Sequence, residues 1–360
     1  MTDATNEHIK RVLIYRLGSL GDTLIALPAL HLVARAFPKA ERRMLTNVPV
    51  SAKAPPAAAI LESTGLVAGY FHYVVGTRSV GELVRLWWTL VWWRPEVLVY
   101  LAAGRGVESA RRDARFFRLC GVKRLVGVPV TQPMQENLWM EAEQALEPEG
   151  ARLVRNIAEL GDAELDSAAA WDLHLTVAER ERAAATMVGV GDGPVIAVSV
   201  GTKVQSKDWS RENWRELLRR LGGMYPGYGL VLNGAPEESE ASEFAADGWR
   251  ESNPAGAVVN LCGKLTPRES AAAFERARLF VGHDSGPMHL AAAVQTPCIA
   301  IFAARNKPRV WFPYGRQHRV LYHRTECWGC GLETCIVEKK RCLTSITVDE
   351  VVAAVQASLG

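Results

Sequence analysis

The feature that most limits what this chain can fold into is a recurring three-part pattern. A short apolar run leads into a loop of small residues, and a stretch with helical spacing follows. The chain opens this way. Arg11-Val-Leu-Ile-Tyr15 runs into Arg16-Leu-Gly-Ser-Leu-Gly-Asp22, and a helical pattern then covers Thr23 to Phe37 with Leu24, Leu27, Leu30 and Val33 or Ala34 on one side. Pro28 falls early in that helix, where a missing amide hydrogen costs little. Further strands are expected at Arg43–Thr46, Gly69–Val75, Val97–Leu101 and Arg124–Gly127, with helical stretches between them. Such alternation predicts an α/β fold with mostly parallel sheets covered on both faces.

The pattern returns in the second half. Pro194-Val-Ile-Ala-Val-Ser-Val200 ends at Gly201 and is followed by a helix over Asn213–Leu221. Strands are expected at Gly229–Leu232, Ala257–Leu261, Leu279–Val281 and Cys298–Phe302, and helices at Glu269–Ala277 and Val348–Leu359, the last capped by Thr347 or Ser345. The stretch 132–166 reads as helical and polar, interrupted by Pro148 and Gly150. A change of pattern at 167–176, in a chain of 360 residues that is too long for one comfortable core, predicts two lobes: 1–170 and 171–360. The last helix is a candidate to pack back on the first lobe.

Bulk properties exclude several classes. A net charge of +3, from 42 basic and 39 acidic residues, gives no reason to expect nucleic acid. One basic cluster, Arg105, Arg111, Arg112, Arg115 and Arg118, reads either as a solvated helix face or as a site for an anionic acceptor or phosphate. The start of the chain shows no signal-peptide pattern, and the apolar stretch Leu83–Leu101 is broken by Arg85, Arg94, Pro95 and Glu96, so no membrane span is expected. Trp87, Trp88, Trp92 and Trp93 within it either pack inside an apolar face or rest on a membrane surface. Cytoplasmic residence is therefore expected, with peripheral contact at the inner membrane as the extension of the second reading.

Four loops carry candidate chemistry. In Gly282-His-Asp284-Ser285-Gly286-Pro287-Met-His289 a strand meets a helix through small residues, leaving backbone amides free for a pyrophosphate. Its structural alternative is a capped helix start with His289 as a core residue. In Gly18-Ser19-Leu-Gly21-Asp22 a carboxylate stands beyond a strand end, as a general base or as a helix cap. The spacing matches neither a P-loop nor Gly-x-Gly-x-x-Gly. Thr202, Lys203 and Lys207 follow the first strand of the second lobe, where a lysine could neutralise a departing phosphate; a plain surface loop is the alternative. Glu237 and Glu238 stand just past a strand end, where a carboxylate could take a ribose hydroxyl pair, although acidic residues are also common in a first helical turn.

Cys327-x2-Cys330-x4-Cys335-x6-Cys342 has the density of a metal or disulfide pattern. Structural zinc, an iron–sulfur cluster and reduced structural thiols all remain open, with disulfides disfavoured in the cytoplasm. The position, just before the last helix, suits a structural clip. No His-Glu-x-x-His is present, and no nucleophile–histidine–acid triad can be argued.

Taken together, these blocks resemble the heptosyltransferase-like glycosyltransferases (family 9), which include the lipopolysaccharide ADP-heptose transferases. The resemblance rests on Arg16–Asp22 with Pro28, on Ser199–Trp209, on Gly282–Ala293 and on the Cys327–Cys342 ending. It implies GT-B architecture: two Rossmann-like lobes with a cleft between them, the acceptor held mainly by the first and the nucleotide by the second. It also implies an inverting reaction that requires no metal or other cofactor, with an ADP-linked sugar favoured as donor and a cell-surface glycan or glycolipid as acceptor. By residue, it implies Asp22 as catalytic base beside the acceptor-side turn Gly18, Ser19 and Gly21. Lys207 lies near the donor phosphates, Asp284, Ser285, Gly286 and Pro287 form the phosphate loop, and Glu238 or Glu237 takes the ribose. Thr202 assists at the phosphates. The chain departs from the family pattern in its extra Lys203 and in Ala303-Ala-Arg-Asn-Lys307, where a Gly-Pro-Thr type of stretch is usual.

Overall fold

The computed structural model describes residues 6–47, 56–74, 77, 79–336 and 338–360. The chain divides into two compact units, residues 1–174 and 175–360.

In the first unit the elements run β1 (Arg11–Tyr15), α1 (Leu20–Ile25), α2 (Leu27–Ala36), β2 (Glu41–Asn47), α3 (Ala58–Leu61), β3 (Gly69–Tyr73), α4 (Val80–Trp93), β4 (Val97–Tyr100), α5 (Val107–Leu119), β5 (Arg124–Val126), α6 (Gln132–Gln135), β6 (Trp139–Met140), β7 (Ala145–Leu146) and α7 (Glu149–Asn156). Among the described residues, β3-β2-β1-β4-β5 form a five-stranded sheet that is parallel throughout. The parallel sheet and its flanking helices are those the alternating pattern predicts. The expected strand end at Val75 lies outside the described residues.

Two expectations for this unit need correction. The single helix expected over Thr23–Phe37 is two, divided at Ala26, and Pro28 lies in the first turn of α2. A proline is tolerated there because first-turn amides have no intrahelical partner. The stretch 132–166 is not continuously helical. It holds α6, the antiparallel pair β6–β7 and the short α7. Nor is it uniformly exposed: Glu147, Glu149 and Arg152 are buried, with Arg152 Nη2 at 2.6 Å from Glu149 Oε1. Pairing offsets the cost of taking these charges out of water, which sequence polarity alone cannot reveal.

The second unit holds α8 (Val177–Met187), β8 (Val195–Ser199), α9 (Arg211–Met224), β9 (Gly229–Leu232), α10 (Ser239–Ser252), β10 (Val258–Asn260), α11 (Pro267–Glu275), β11 (Leu279–His283), α12 (Gly286–Ala293), β12 (Cys298–Phe302), β13 (Arg319–Tyr322), α13 (Arg341–Thr344) and α14 (Val348–Leu359). Among the described residues its parallel sheet has the order β10-β9-β8-β11-β12-β13. Strands β8, β11 and β12 are buried along their whole length, as expected for a sheet covered on both faces. The edge strand β13 was not anticipated. Its residues are only partly buried or exposed, so no continuous apolar run announces it.

Helix ends follow local chemistry. Ser210 accepts from the Asn213 amide at the start of α9, and at the start of α14 the Thr347 hydroxyl accepts from the Glu350 amide while the Glu350 carboxylate accepts from the Thr347 amide. Helix α14 sends Val351, Val352, Ala354 and Val355 into the core of its own unit, beside Trp209, Trp214 and Trp249.

Candidate active site

Each unit gathers candidate residues beyond the carboxyl ends of its own strands, where open α/β sheets bind ligands. In the first unit the loop after β1 turns on Gly18 (φ +132°), whose amide donates to Asn47 Oδ1 at 2.9 Å. A Cβ at position 18 would overlap the Asp22 carboxyl, so glycine is required here for space as well as for backbone angle. Ser19 is the cap of α1, and Asp22 is its third residue. The Ser19 amide and hydroxyl donate to Asp22 Oδ2 at 2.6 and 2.8 Å. The other oxygen, Oδ1, lies 3.7 Å from the buried guanidinium of Arg16. The Asp22 side chain keeps a quarter of its surface exposed, against 2% for Arg16. The cap and base readings are therefore compatible. One oxygen takes the capping bonds from Ser19, and the other lies toward Arg16.

Arg16, which the sequence did not single out, braces this turn. Its Nη1 donates to the Leu101 carbonyl at 2.5 Å and its Nη2 to the Asp22 carbonyl. A cavity of about 580 Å³ opens at the ends of β1 and β3, lined by Tyr15, Tyr73, Leu83, Leu86, Phe117 and Arg105 among others. Arg105 is the member of the basic cluster that turns inward, donating to Tyr15 Oη at 3.0 Å and pairing with Asp113 at 2.5 Å. Burial pushes the Tyr100 phenol up to about 12, so Tyr100 holds Asp113 as a neutral donor at 3.0 Å. Of the others, Arg111 pairs with Glu108 on the surface, while Arg118 bonds the Val122 and Lys123 carbonyls.

In the second unit Lys207 and Asp284 come together from loops after β8 and β11. Lys207 Nζ lies 2.7 Å from Asp284 Oδ2 and 3.0 Å from the Asp284 carbonyl, and Asn306 Nδ2 donates to the same carboxylate at 3.1 Å. Ser285 caps α12, with Gly286 and Pro287 in the first turn. The Ser285 hydroxyl is buried and has no protein partner. The start of α12 thus sets an unpartnered hydroxyl close to a lysine, at the kind of helix terminus that favours anions. Lys203 is exposed, near Glu237 and Glu238, and Thr202 makes one long bond to the Val204 carbonyl at 3.5 Å. Glu238 reaches back to the Ala235 amide at 2.8 Å, and its carboxyl lies so close to Gly201 and Gly234 that a Cβ at either would overlap it. Glu237 faces solvent. His289 is buried within α12, beside His318.

Two supports hold these loops, and the sequence did not single out the first. His283 Nε2 accepts from the Trp209 amide at 3.2 Å, fixing the tautomer that donates from Nδ1 toward the Gly201 carbonyl. Burial lowers this histidine from its ordinary 6.5 to about 4. The unfolded chain therefore binds an extra proton between these values, and the stability present above pH 6.5 is lost as pH falls towards 4. The urea midpoint should drop across that window, and more steeply in the wild type than in His283→Gln. Equal slopes would show that His283 is not the group responsible.

The second support is the cysteine segment. Ser206 Oγ donates to the Leu332 carbonyl at 2.7 Å, the Cys335 amide donates to Gln205 Oε1 at 3.0 Å, and Lys340 Nζ donates to the Asp208 carbonyl at 2.8 Å. Arg305 also bonds the Leu332 carbonyl, at 2.8 Å. The segment thus braces the loops carrying Lys207 and Asn306, as a clip would. Cys327, Cys330 and Cys342 form no disulfide in this structure. Among the described residues no group of three or more His, Cys, Asp or Glu is arranged to hold a metal ion, so structural zinc finds no support.

Residues 131–341 match the model of glycosyltransferase family 9 (heptosyltransferase), which is more than half of the chain. The chain belongs to glycosyltransferase family 9. Lipopolysaccharide heptosyltransferase 3 of Escherichia coli is 30% identical over 118 residues, a third of each chain. The match thus spans about a third of the length of such curated relatives. A family 9 glycosyl transferase from Veillonella parvula has the same fold across 97% of both chains, with a TM-score of 0.71 at 16% identity. The ADP-heptose lps heptosyltransferase II of E. coli covers 97% of this chain and 98% of its own, with a TM-score of 0.66 at 18% identity. The family 9 chain therefore has the two-lobed α/β fold of GT-B architecture.

Proposed function

We propose that this family 9 chain moves a sugar, with inversion, from a nucleotide-sugar donor to a surface glycan or lipid-linked acceptor, and that ADP-heptose is the donor. Carrying the reading is the Lys207–Asp284 pair beside the unpartnered Ser285 hydroxyl at the start of α12. A diphosphate seated there would meet one ammonium, one hydroxyl and first-turn amides. As the anomeric carbon loses its diphosphate it gains oxocarbenium character. The fixed charge of Lys207 and the amide dipoles stabilise the leaving group electrostatically. Asp22 Oδ1 accepts the proton of the attacking acceptor hydroxyl. In this reading Glu238, whose carboxyl lies against Gly201 and Gly234 beyond β8 and β9, takes the ribose hydroxyls. The ADP-heptose part of the proposal draws on the similarity in fold to the ADP-heptose lps heptosyltransferase II of E. coli and on the family resemblance.

The test is a melting-temperature series with ADP, UDP and GDP, followed by ADP release from ADP-heptose with and without acceptor. ADP should raise the melting temperature most, since a ligand at about 100 times its Kd adds about 2.7 kcal/mol. Equal shifts with all three nucleotides would remove the ADP assignment. Donor binding without release of nucleoside diphosphate would mark a binding protein rather than a transferase.

A further inference from the structure

Helix α4 is apolar around most of its circumference. Leu86 and Leu90 face inward, where they meet Leu13, Leu98 and Phe117. On the outer side Val80 is 72% exposed, Val84 54%, Trp88 55% and Trp92 70%. These four follow one another at four-residue steps, so they form a single stripe along the helix. Leu83 widens it, and Trp88 and Trp92 touch ring to ring at 6.1 Å. The neighbouring helix extends the patch. Leu119, 74% exposed at the end of α5, lies beside Trp87, whose indole donates to the Leu119 carbonyl at 3.0 Å. Helices apolar all round are normally covered by protein or lipid, and contiguous exposed patches of this kind mark interaction sites.

Charge around the patch identifies what covers it. Arg85 and Arg94 flank the stripe on α4, and Arg111, Arg112, Arg115 and Arg118 are exposed on α5. The carboxylates of these two helices are fewer: Glu82, Glu108, which pairs with Arg111, and Asp113, which pairs with Arg105 and at 3.5 Å with Arg112, so Arg85, Arg94 and Arg115 stand in excess. A second copy meeting this face with its own would bring two arginine rims together. An anionic bilayer surface instead accepts the tryptophans at headgroup depth and the arginines against its phosphates. No helix among the described residues is long and apolar enough to cross a membrane, so the contact is one of lying on the surface.

We infer that the outer face of α4, with Leu119 and the arginines of α5, docks this lobe onto an anionic lipid surface. The inference extends the lipid-linked acceptor of the proposed function, and its test is independent of transfer. The purified chain is floated with vesicles of phosphatidylcholine alone and of phosphatidylcholine with about 30 mol % phosphatidylglycerol, with neither donor nor acceptor present. The wild type rises with the anionic vesicles and much less with the neutral ones. Trp88→Gln with Trp92→Gln lowers the bound fraction at least about tenfold while the melting temperature and ADP affinity stay unchanged. Arg111→Gln with Arg115→Gln removes the preference for anionic lipid. Brominated lipid quenches the wild-type tryptophans, a readout that needs no variant. Three results would overturn the inference: a wild type that stays with the soluble fraction, a tryptophan variant that floats as well as the wild type, or a self-association that the tryptophan changes abolish. A chain that floats but releases no ADP would keep the docking surface and remove the transferase reading.

Discussion

Replacing Asp22 with asparagine is expected to lower transfer by about 10²–10⁴-fold, the usual worth of a general base, while leaving the fold intact. The expectation follows from how the carboxylate is shared. Oδ2 takes the Ser19 amide and hydroxyl, and an asparagine oxygen can take the same two bonds. The turn and the start of α1 should therefore survive. What asparagine cannot supply is a basic second oxygen, the one that lies toward Arg16. Initial rates of ADP release with acceptor, set against the melting temperature, separate the two roles. A well-folded variant keeping more than about a tenth of wild-type turnover would leave Asp22 as a helix-capping residue only.

Lys207→Met should cost about 10²–10³-fold in turnover, as loss of one preorganised charge at a developing anion does. It should also cost stability, of the order of 1–3 kcal/mol, because the buried Asp284 carboxylate would keep Asn306 but lose its cation. Lys207→Arg separates these effects. A guanidinium can pair with Asp284 and restore the melting temperature, but its planar fork cannot reproduce a compact ammonium held on both the carboxylate and the carbonyl. Turnover should then stay low in Lys207→Arg while stability returns. If Lys207→Met instead turns over normally, the phosphate cation is Lys203, which stands on the same loop near Glu237 and Glu238.

Elements that were legible in the sequence share one physical property: their identity is written in local periodicity and capping. The strands Gly229–Leu232 and Cys298–Phe302 and the helix Val348–Leu359 stand where their patterns put them. Strand-end loops were legible too, because small residues followed by a capping side chain have few uses other than turning a strand into a helix. Val80–Trp93 was readable as a tryptophan-rich helix, yet its composition left open which rings would be covered. In the structure Trp87 and Trp93 are partly buried, and Trp88 and Trp92 face out.

By itself, then, the sequence determined the alternation of parallel strands and helices, the loops that carry Asp22, Lys207 and Asp284, and the family resemblance. Only the tertiary structure decided which charges are paired and which are exposed. Lys207 meets Asp284 across 77 residues of chain, Arg16 reaches the Leu101 carbonyl across 85, and the cysteine segment braces a loop more than a hundred residues before it. Periodicity reports a side chain's direction relative to its own element. It carries no record of what another element brings to that side, and so the partners of a buried ion pair, the tautomer of His283 and the uncovered face of α4 had to be read from the fold.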